Sequence, residues 1–322
     1  MKQIKLGILG TSEIAFRRFL PALSKCDEFE YVGVASRNIE RTQPFVECFG
    51  GKGYGSYEEL LTDESIDAVY IPLPPALHDE WGKKALKNWR HIFIEKPFTT
   101  SLADTKALLS LAEEKRLAVH ENYMFVYHSQ LPAIEKLLAD GKIGELRLIR
   151  AAFGFPKRRE TDFRYNKALG GGALLDCGGY PVRLAAHLLG DTARVTTARL
   201  NQPAGYGVDL YGSATLENEA GQVAQISFGM DNSYKCELEL WGSTGCLTAN
   251  RIFTAPAGFA PVVTLRTTQG TEEIVLPADD SFLNSIRGFA RTINSPALRA
   301  EQMATIQREA ILTQNLVALG RG

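Results

Sequence analysis

Along the first 120 residues the hydrophobic positions switch between two periods. Short apolar or β-branched runs recur at Ile4–Leu9, Tyr31–Ala35, Ala68–Ile71, Ile92–Ile94 and Leu117–His120, each bounded by turn residues, and each predicts a buried strand. Between them the apolar residues return at the helical period. Phe16, Phe19, Leu20 and Leu23 stand at i, i+3, i+4 and i+7, with Pro21 predicting a kink or local end. Asn38 is placed to cap a helix running to about Cys48, Ser56-Tyr57-Glu58-Glu59 reads as a capping box, and helices are predicted over Asp79–Asn88 and Ser101–Arg116. Strands and helices alternating through short loops predict a doubly wound parallel sheet, a first domain over residues 1–121.

From Glu121 the pattern changes. The segment Glu121–His128 leads to a helix over Ser129–Ala139, ended by Asp140-Gly141. Longer alternating stretches follow at Leu146–Phe155, Val195–Leu200, Leu210–Leu216, Val223–Phe228 and Cys236–Trp241. They predict a second, α+β domain over 122–322, built on a large, mostly antiparallel open sheet. Helices from about Ser281 and Ala300 close the chain and are candidates to pack back on the first domain. An apolar sheet face left in water invites association, so a homodimer or homotetramer is expected.

Composition narrows the partners. The 322 residues carry 36 Lys+Arg against 37 Asp+Glu, leaving no basic surplus for a polyanion, so no nucleic-acid partner is expected. No apolar run approaches transmembrane length, and the N-terminus runs straight into a strand without a signal-type segment; no membrane association and a cytoplasmic location are expected. The five cysteines are odd in number and lack C-x-x-C spacing, which indicates neither a disulfide framework nor a metal site.

Candidate chemistry gathers at the predicted strand ends. Gly10-Thr11-Ser12-Glu13-Ile14-Ala15 follows the first strand and matches a dinucleotide fingerprint imperfectly, with Ser12 where a second glycine would let backbone approach pyrophosphate. The second strand ends in Ser36-Arg37-Asn38, with no acidic residue to hold a ribose diol; serine and arginine suit a 2′-phosphate, the alternative being a surface arginine beside a helix cap. The cofactor-binding candidates are therefore Gly10, Thr11, Ser12, Glu13, Ile14, Ser36 and Arg37, joined by Leu73, Pro74, His78, Glu95 and Lys96 at later strand ends. The run His91-Ile-Phe-Ile-Glu-Lys-Pro97 is a short buried strand stopped by proline, delivering Glu95 and Lys96 at the edge where an open α/β sheet binds ligands.

A second chemical stretch is Gly170-Gly171-Gly172 followed by a helix. The glycines predict close backbone approach and N–H groups turned toward a ligand. Asp176, Tyr180, Arg183 and His187 fall at i, i+4, i+7 and i+11, a polar stripe on an apolar helix. By itself a tyrosine such as Tyr180 is more often a core residue with a satisfied hydroxyl than a catalyst. Upstream, Asp162-Phe163-Arg164-Tyr165-Asn166 combines arginine and aromatics beside the glycines, a loop able to grip a phosphorylated substrate.

Together Gly10–Ala15, Glu95-Lys96-Pro97, Glu121–His128, and Gly170-Gly171-Gly172 with Asp176-x-Gly178-x-Tyr180 resemble the Gfo/Idh/MocA oxidoreductase family along essentially the whole chain. The resemblance implies a nicotinamide enzyme whose residues 1–121 form a dinucleotide-binding Rossmann domain, with Lys96 and Tyr180 facing nicotinamide and substrate; Ser36 and Arg37 favour NADP(H), with NAD(H) the alternative. Ser12–Arg18, Glu121–Phe125, Asp162–Asn166 and Arg251–Thr254 are similar to the sugar 3-ketoreductases that act on nucleotide-linked deoxysugars. Members that oxidise polyols tend to carry His-x-x-Asp where this chain has Tyr180-x-x-Arg183. The expectation is an NADPH-dependent reductase of a nucleotide-linked 3-keto sugar, with Tyr180 as proton donor, Lys96 assisting and Asp176 orienting the pair. Tyr123, Arg164, Tyr165, Asn166, Gly172 and Tyr180 are its expected substrate contacts. A dihydrodiol or polyol dehydrogenase using NADP is the alternative, and a non-catalytic NAD(P)-binding sensor a second one.

Overall fold

The computed structural model describes residues 3–320. The chain forms two compact units, Met1–Asn122 with Phe282–Arg308, and Tyr123–Ser281 with Glu309–Gly322.

The first unit is built on β1 (Ile4–Leu9), β2 (Phe29–Ala35), β3 (Lys52–Tyr54), β4 (Ala68–Ile71), β5 (His91–Ile94) and β6 (Val119–Glu121), all parallel, in the order 3-2-1-4-5-6. The interleaved helices are α1 (Leu20–Leu23), α2 (Gln43–Phe49), α3 (Tyr57–Thr62), α4 (His78–Lys87) and α5 (Leu102–Glu114). This is the predicted doubly wound sheet. The predicted caps form as well: Asn38 Oδ1 accepts the Glu40 N–H and the Ser56 hydroxyl accepts the Glu59 N–H, both at 3.0 Å; Ser101 adds a cap that was not predicted, its hydroxyl accepting the Asp104 N–H at 3.1 Å. Strand β3 was not anticipated, because Lys52-Gly53-Tyr54 has no apolar run. It fits because Gly33 of β2 has no side chain, and a Cβ there would meet the Lys52 carbonyl.

The second unit opens with α6 (Gln130–Ala139) and carries α7 (Gly179–Leu189) against a sheet of eight strands. These are β7 (Leu146–Gly154), β8 (Arg194–Asn201), β9 (Tyr211–Glu217), β10 (Val223–Gly229), β11 (Lys235–Gly242), β12 (Gly245–Asn250), β13 (Val262–Thr267) and β14 (Gly270–Val275). Their order is 14-13-12-11-7-10-9-8, and only β7 with β10 pairs parallel. Strands β12 to β14 escaped the reading of alternation: β14, Gly-Thr-Glu-Glu-Ile-Val, is exposed along most of its length and lacks an apolar side. The chain ends in α8 (Ser281–Asn294) and α9 (Pro296–Gly320).

Period-2 alternation sorts this large sheet. Ile149, Ala151, Phe153, Ala224, Ile226, Phe228, Leu238 and Leu240 face the buried side with α7, where Gly178 lies against the Phe228 ring. The other side is not the apolar surface expected. Arg150, Ser213, Gln225 and Glu239 occupy it, Arg150 pairing with Glu239 at 2.9 Å and standing over the ring of Trp241, itself 52% exposed.

In the first unit both sheet faces are apolar, but differently. Val69, Ile71, Ile92 and Ile94 join an aliphatic layer with Leu86 and Leu108. The alternate residues Tyr70 and Phe93 face an aromatic layer: Phe19 stacks on Tyr70 at 3.7 Å, and Phe289 of α8 meets Phe93 edge-on at 5.3 Å. Each fully buried side chain of β5 contributes about 1.5–3 kcal/mol.

Two helices begin with a widened turn. Ala15–Phe19 winds as a π-turn, the Leu20 N–H reaching the Ala15 carbonyl, before α1; Leu174–Gly178 does the same before α7, from the Gly179 N–H to Leu174. A proline follows each time, Pro21 and Pro181. A proline ring inside a regular helix clashes with the carbonyl four residues back and offers no N–H, and widening the preceding turn relieves both. Pro21 was expected to kink or end its helix; the helix instead runs on to Leu23 behind a widened turn.

Candidate active site

At the carboxyl edge of the first sheet, Gly10 has φ +110°, and a Cβ there would meet the Leu73 side chain at 2.8 Å. Leu73 is thereby set against the first turn. Ser12, where the fingerprint asks for glycine, caps the following helix, its hydroxyl accepting the Ala15 N–H at 3.2 Å. Glu13 points away to an exposed pair with Arg17 at 3.1 Å. The Ser36 hydroxyl accepts the Asn38 N–H at 3.3 Å, so it helps shape the turn at the end of β2. Burial raises the Tyr57 pKa and the charge of Arg37 pulls it back; the Tyr57 hydroxyl lies near Gly10, and its ring is braced edge-on by Trp81 at 4.7 Å. A glycine cradle with an arginine at the second strand end fits a dinucleotide carrying a 2′-phosphate.

The turn after β5 is held on several sides. The Glu95 carboxylate oxygen Oε1 accepts from the Tyr70 hydroxyl and from Asn122 Nδ2, both at 2.6 Å. Burial raises the Glu95 pKa, and those two bonds with the neighbouring Lys96 charge pull it back. The Phe98 N–H donates to Glu121 Oε1 at 2.6 Å. His78, predicted as a cofactor residue, is fully buried, with Nδ1 2.8 Å from the Pro97 carbonyl and Nε2 2.8 Å from the Leu73 carbonyl. A neutral ring donates to one of these oxygens, and protonation would serve both. His78 ties the Leu73-Pro74 segment to the Lys96 turn.

In the second unit Tyr180 is 7% exposed inside an aromatic box. Phe153 lies 4.9 Å from its ring, Tyr123 5.2 Å, and Phe125 and Phe253 5.9 Å each. Gly179 admits this packing, since a Cβ there would strike the Tyr123 hydroxyl. The polar stripe does not act as one face. Asp176 Oδ2 accepts from Arg164 Nε at 2.7 Å, Arg183 pairs with Glu309 at 3.3 Å, and His187 with Glu135 at 2.6 Å. Burial opposes the Arg164 charge, but Asp176 and Asp162 outweigh it and raise its pKa.

The glycine run does not present an anion cradle. Gly171 N–H donates to Asn166 O at 3.0 Å, Gly172 N–H to Arg164 O at 2.9 Å, and Ala173 N–H to Asp209 O at 2.8 Å. Leu174 N–H then donates to the Asp209 carboxylate at 2.7 Å. Asp209, which lies 35 residues further on, caps this helix and no local signal marked it. Gly172, with φ +125°, lies against that carboxylate. Tyr165 and Asn166 hold the loop itself: the Tyr165 hydroxyl accepts the Arg158 N–H at 2.9 Å, and Asn166 Oδ1 accepts the Ala168 N–H at 2.9 Å.

A 3-2-1-4-5-6 parallel sheet with a glycine turn at β1, followed by a sheet-based second domain, defines a nicotinamide-dependent oxidoreductase of the two-domain type. Residues 4–123 match the family model of oxidoreductases with an NAD-binding Rossmann fold, residues 132–248 match its C-terminal domain, and the chain belongs to the Gfo/Idh/MocA family. It is 40% identical over 319 residues to the dTDP-3,4-didehydro-2,6-dideoxy-alpha-D-glucose 3-reductase of Saccharopolyspora spinosa, covering 97% of this chain and 96% of that one. The protein of the same name from Streptomyces violaceoruber is 42% identical over 303 residues, 94% of this chain and 89% of its own. KijD10, a 3-ketoreductase from Actinomadura kijaniata solved with NADP and TDP-benzene, superposes with a TM-score of 0.96 at 39% identity, over 99% of this chain and 98% of its own.

Two histidines make the first unit acid-sensitive. Burial pulls both His78 and His91 from 6.5 to about 4, and His91 Nδ1 accepts the Ala118 N–H at 2.9 Å, a bond that protonation breaks. Depressed pKa values contribute stability above pH 6.5, and it is lost as pH falls toward 4, on the order of 3 kcal/mol per residue. Asp63, lowered to about 2 by its hydrogen bonds from Ser65 and Tyr54, acts below that window. Urea titrations are expected to show a lower midpoint at pH 5 than at pH 7, and His91→Gln to reduce that difference. An unchanged midpoint would refute the assignment.

Proposed function

We propose that this chain uses NADPH to reduce the 3-keto group of a nucleotide-linked deoxysugar. The observation that carries the reading is the near full-length similarity, at about 40% identity, to dTDP-sugar 3-reductases, in a chain that holds both the Lys96 turn and the boxed Tyr180. Reduction builds negative charge on the carbonyl oxygen, which must be protonated as it forms. NADPH, when bound, supplies the hydride. The Tyr180 hydroxyl gives the proton. The Lys96 ammonium stabilises the phenolate left behind and polarises the carbonyl. Asp176 acts through Arg164: with two carboxylates on it, that guanidinium carries no surplus charge for a phosphate and serves to fix Asp176 on the helix of Tyr180.

Self-association is proposed through the outward face of the eight-stranded sheet. Its polar side chains rule out hydrophobic exposure as the drive. What supports an interface is the exposed ring of Trp241 beside a cross-strand ion pair, with the exposed ring of Tyr211 further along the sheet, a mixture typical of non-obligate contacts.

Tyr180→Phe is expected to lower kcat by about 10²–10⁴ with NADPH affinity nearly unchanged. Lys96→Ala should cost at least as much, and Lys96→Arg should not restore it, because a guanidinium differs in shape and holds its proton. The assay is NADPH oxidation against nucleotide-linked 3-keto sugars, free keto-sugars and, with NADP⁺, diols. Full turnover by Tyr180→Phe, or activity confined to free sugars or diols, overturns the reading.

One charge-assisted bond from Arg37 to a 2′-phosphate corresponds to roughly tenfold or more in affinity. Arg37→Asp should reverse or erase a preference for NADPH over NADH in titrations of cofactor binding. Equal affinities in the unaltered protein would refute this. Light scattering at micromolar concentration should report more than one chain per particle; a monomer would remove the proposed interface.

A further inference from the structure

The Lys96 turn is reached by a buried hydrogen-bond chain in which every proton can be placed. Glu95 Oε1 accepts from the Tyr70 hydroxyl and faces Asn122 at 2.6 Å, so the Asn122 atom there is the donating nitrogen. That orients the amide and leaves Asn122 Oδ1 to accept from the Ser285 hydroxyl at 2.9 Å. Having donated its proton, the Ser285 oxygen can only accept from His120 Nε2, 2.9 Å away, which fixes the histidine as the Nε2–H tautomer. His120, Asn122 and Ser285 are each 0% exposed. The far end is clamped by rings: His120 stacks on Phe93 at 4.4 Å, and Phe289, one turn beyond Ser285 on α8, meets Phe93 edge-on.

We propose that Ser285, Asn122 and Tyr70 are positioning residues for the reaction, setting the Glu95 carboxylate, and through it the adjoining Lys96, by this directed chain. The inference rests on the reading of Lys96 as a catalytic group. Without Ser285 the Asn122 amide is free to turn over and put its oxygen against the Glu95 carboxylate, a contact of like partial charge. Asn122→Asp imposes a carboxylate there permanently. Tyr70→Phe removes the other donor to the same oxygen.

The test measures kcat, sugar KM, NADPH affinity and melting temperature for Ser285→Ala, Asn122→Asp, Tyr70→Phe and Lys96→Ala, and for Ser285→Ala combined with Lys96→Ala. Misplacement of a catalytic group by a fraction of an ångström to an ångström costs about 10-fold to 100-fold. Ser285→Ala and Tyr70→Phe are expected to lose about tenfold in kcat and Asn122→Asp more, with KM and NADPH affinity within about twofold. In the Lys96→Ala background Ser285→Ala should change the residual rate by less than about twofold, since residues acting through one group are not additive. Wild-type kcat in Ser285→Ala and Asn122→Asp overturns the proposal, as does an equal loss with and without Lys96. Should one variant not fold, Tyr70→Phe reads the same chain from its other end. Full turnover in Lys96→Ala removes the underlying reading instead, a result distinct from wild-type behaviour of the chain variants alone.

Discussion

A carboxylate taken partly out of water has to be met by donors, and Glu95 obtains two on a single oxygen, from Tyr70 and Asn122 at 2.6 Å each. Those donors sit 25 and 27 residues away, on the strands flanking β5. Only a parallel sheet in the order β4-β5-β6 brings their ends side by side. The requirement of one anion therefore ties three strand ends together. The residues after it inherit the constraint: Pro97 is caught by His78 and Phe98 by Glu121, so Lys96 projects from a turn with little freedom. Pre-organisation of this kind is what lets a charge act in a transition state without first being moved into place.

The second unit solves a different problem. The proposed proton donor, Tyr180, stands on a helix whose surroundings are packed hydrocarbon, and the π-turn before Pro181 alters the helical phase between Asp176 and Tyr180. Tyr180 then enters a box of Tyr123, Phe125, Phe153 and Phe253, while Asp176 is turned to Arg164 in the preceding loop. Aromatic pairs at these separations each add about 0.5–1.5 kcal/mol beyond burial and fix the ring plane. Asp209 completes the frame by occupying the helix start, so that no loose N–H is left at Leu174.

Much of this was legible in the residues. The alternation of periods set out every strand of the first sheet but β3, the caps formed where Asn38 and Ser56 stand, and Glu95-Lys96-Pro97 fell at a strand end. Two misreadings concern groups that meet only in the folded chain. The stripe Asp176, Tyr180, Arg183 and His187 assumed an unbroken helix, and the glycine run was read as open because its acceptors, Arg164, Asn166 and Asp209, are brought in by loop geometry. The outward sheet face was taken as apolar, although Arg150, Gln225 and Glu239 alternate with the buried Ala151, Ile226 and Leu240.

By itself the sequence determined what depends on neighbours in the chain: which segments become strand or helix, where caps and prolines punctuate them, and which short motifs carry a chemical identity. Propensity, period and turn chemistry act over a few residues, so they can be read without coordinates. Tertiary structure decided which polar group meets which. Ser285 and Asn122 are 163 residues apart and Arg183 and Glu309 are 126 apart, and neither pairing leaves a local trace. Hydrogen bonds and ion pairs are satisfied by whatever the folded backbone brings within about 3 Å, and that choice is made only once the sheet order and the helix phases are set.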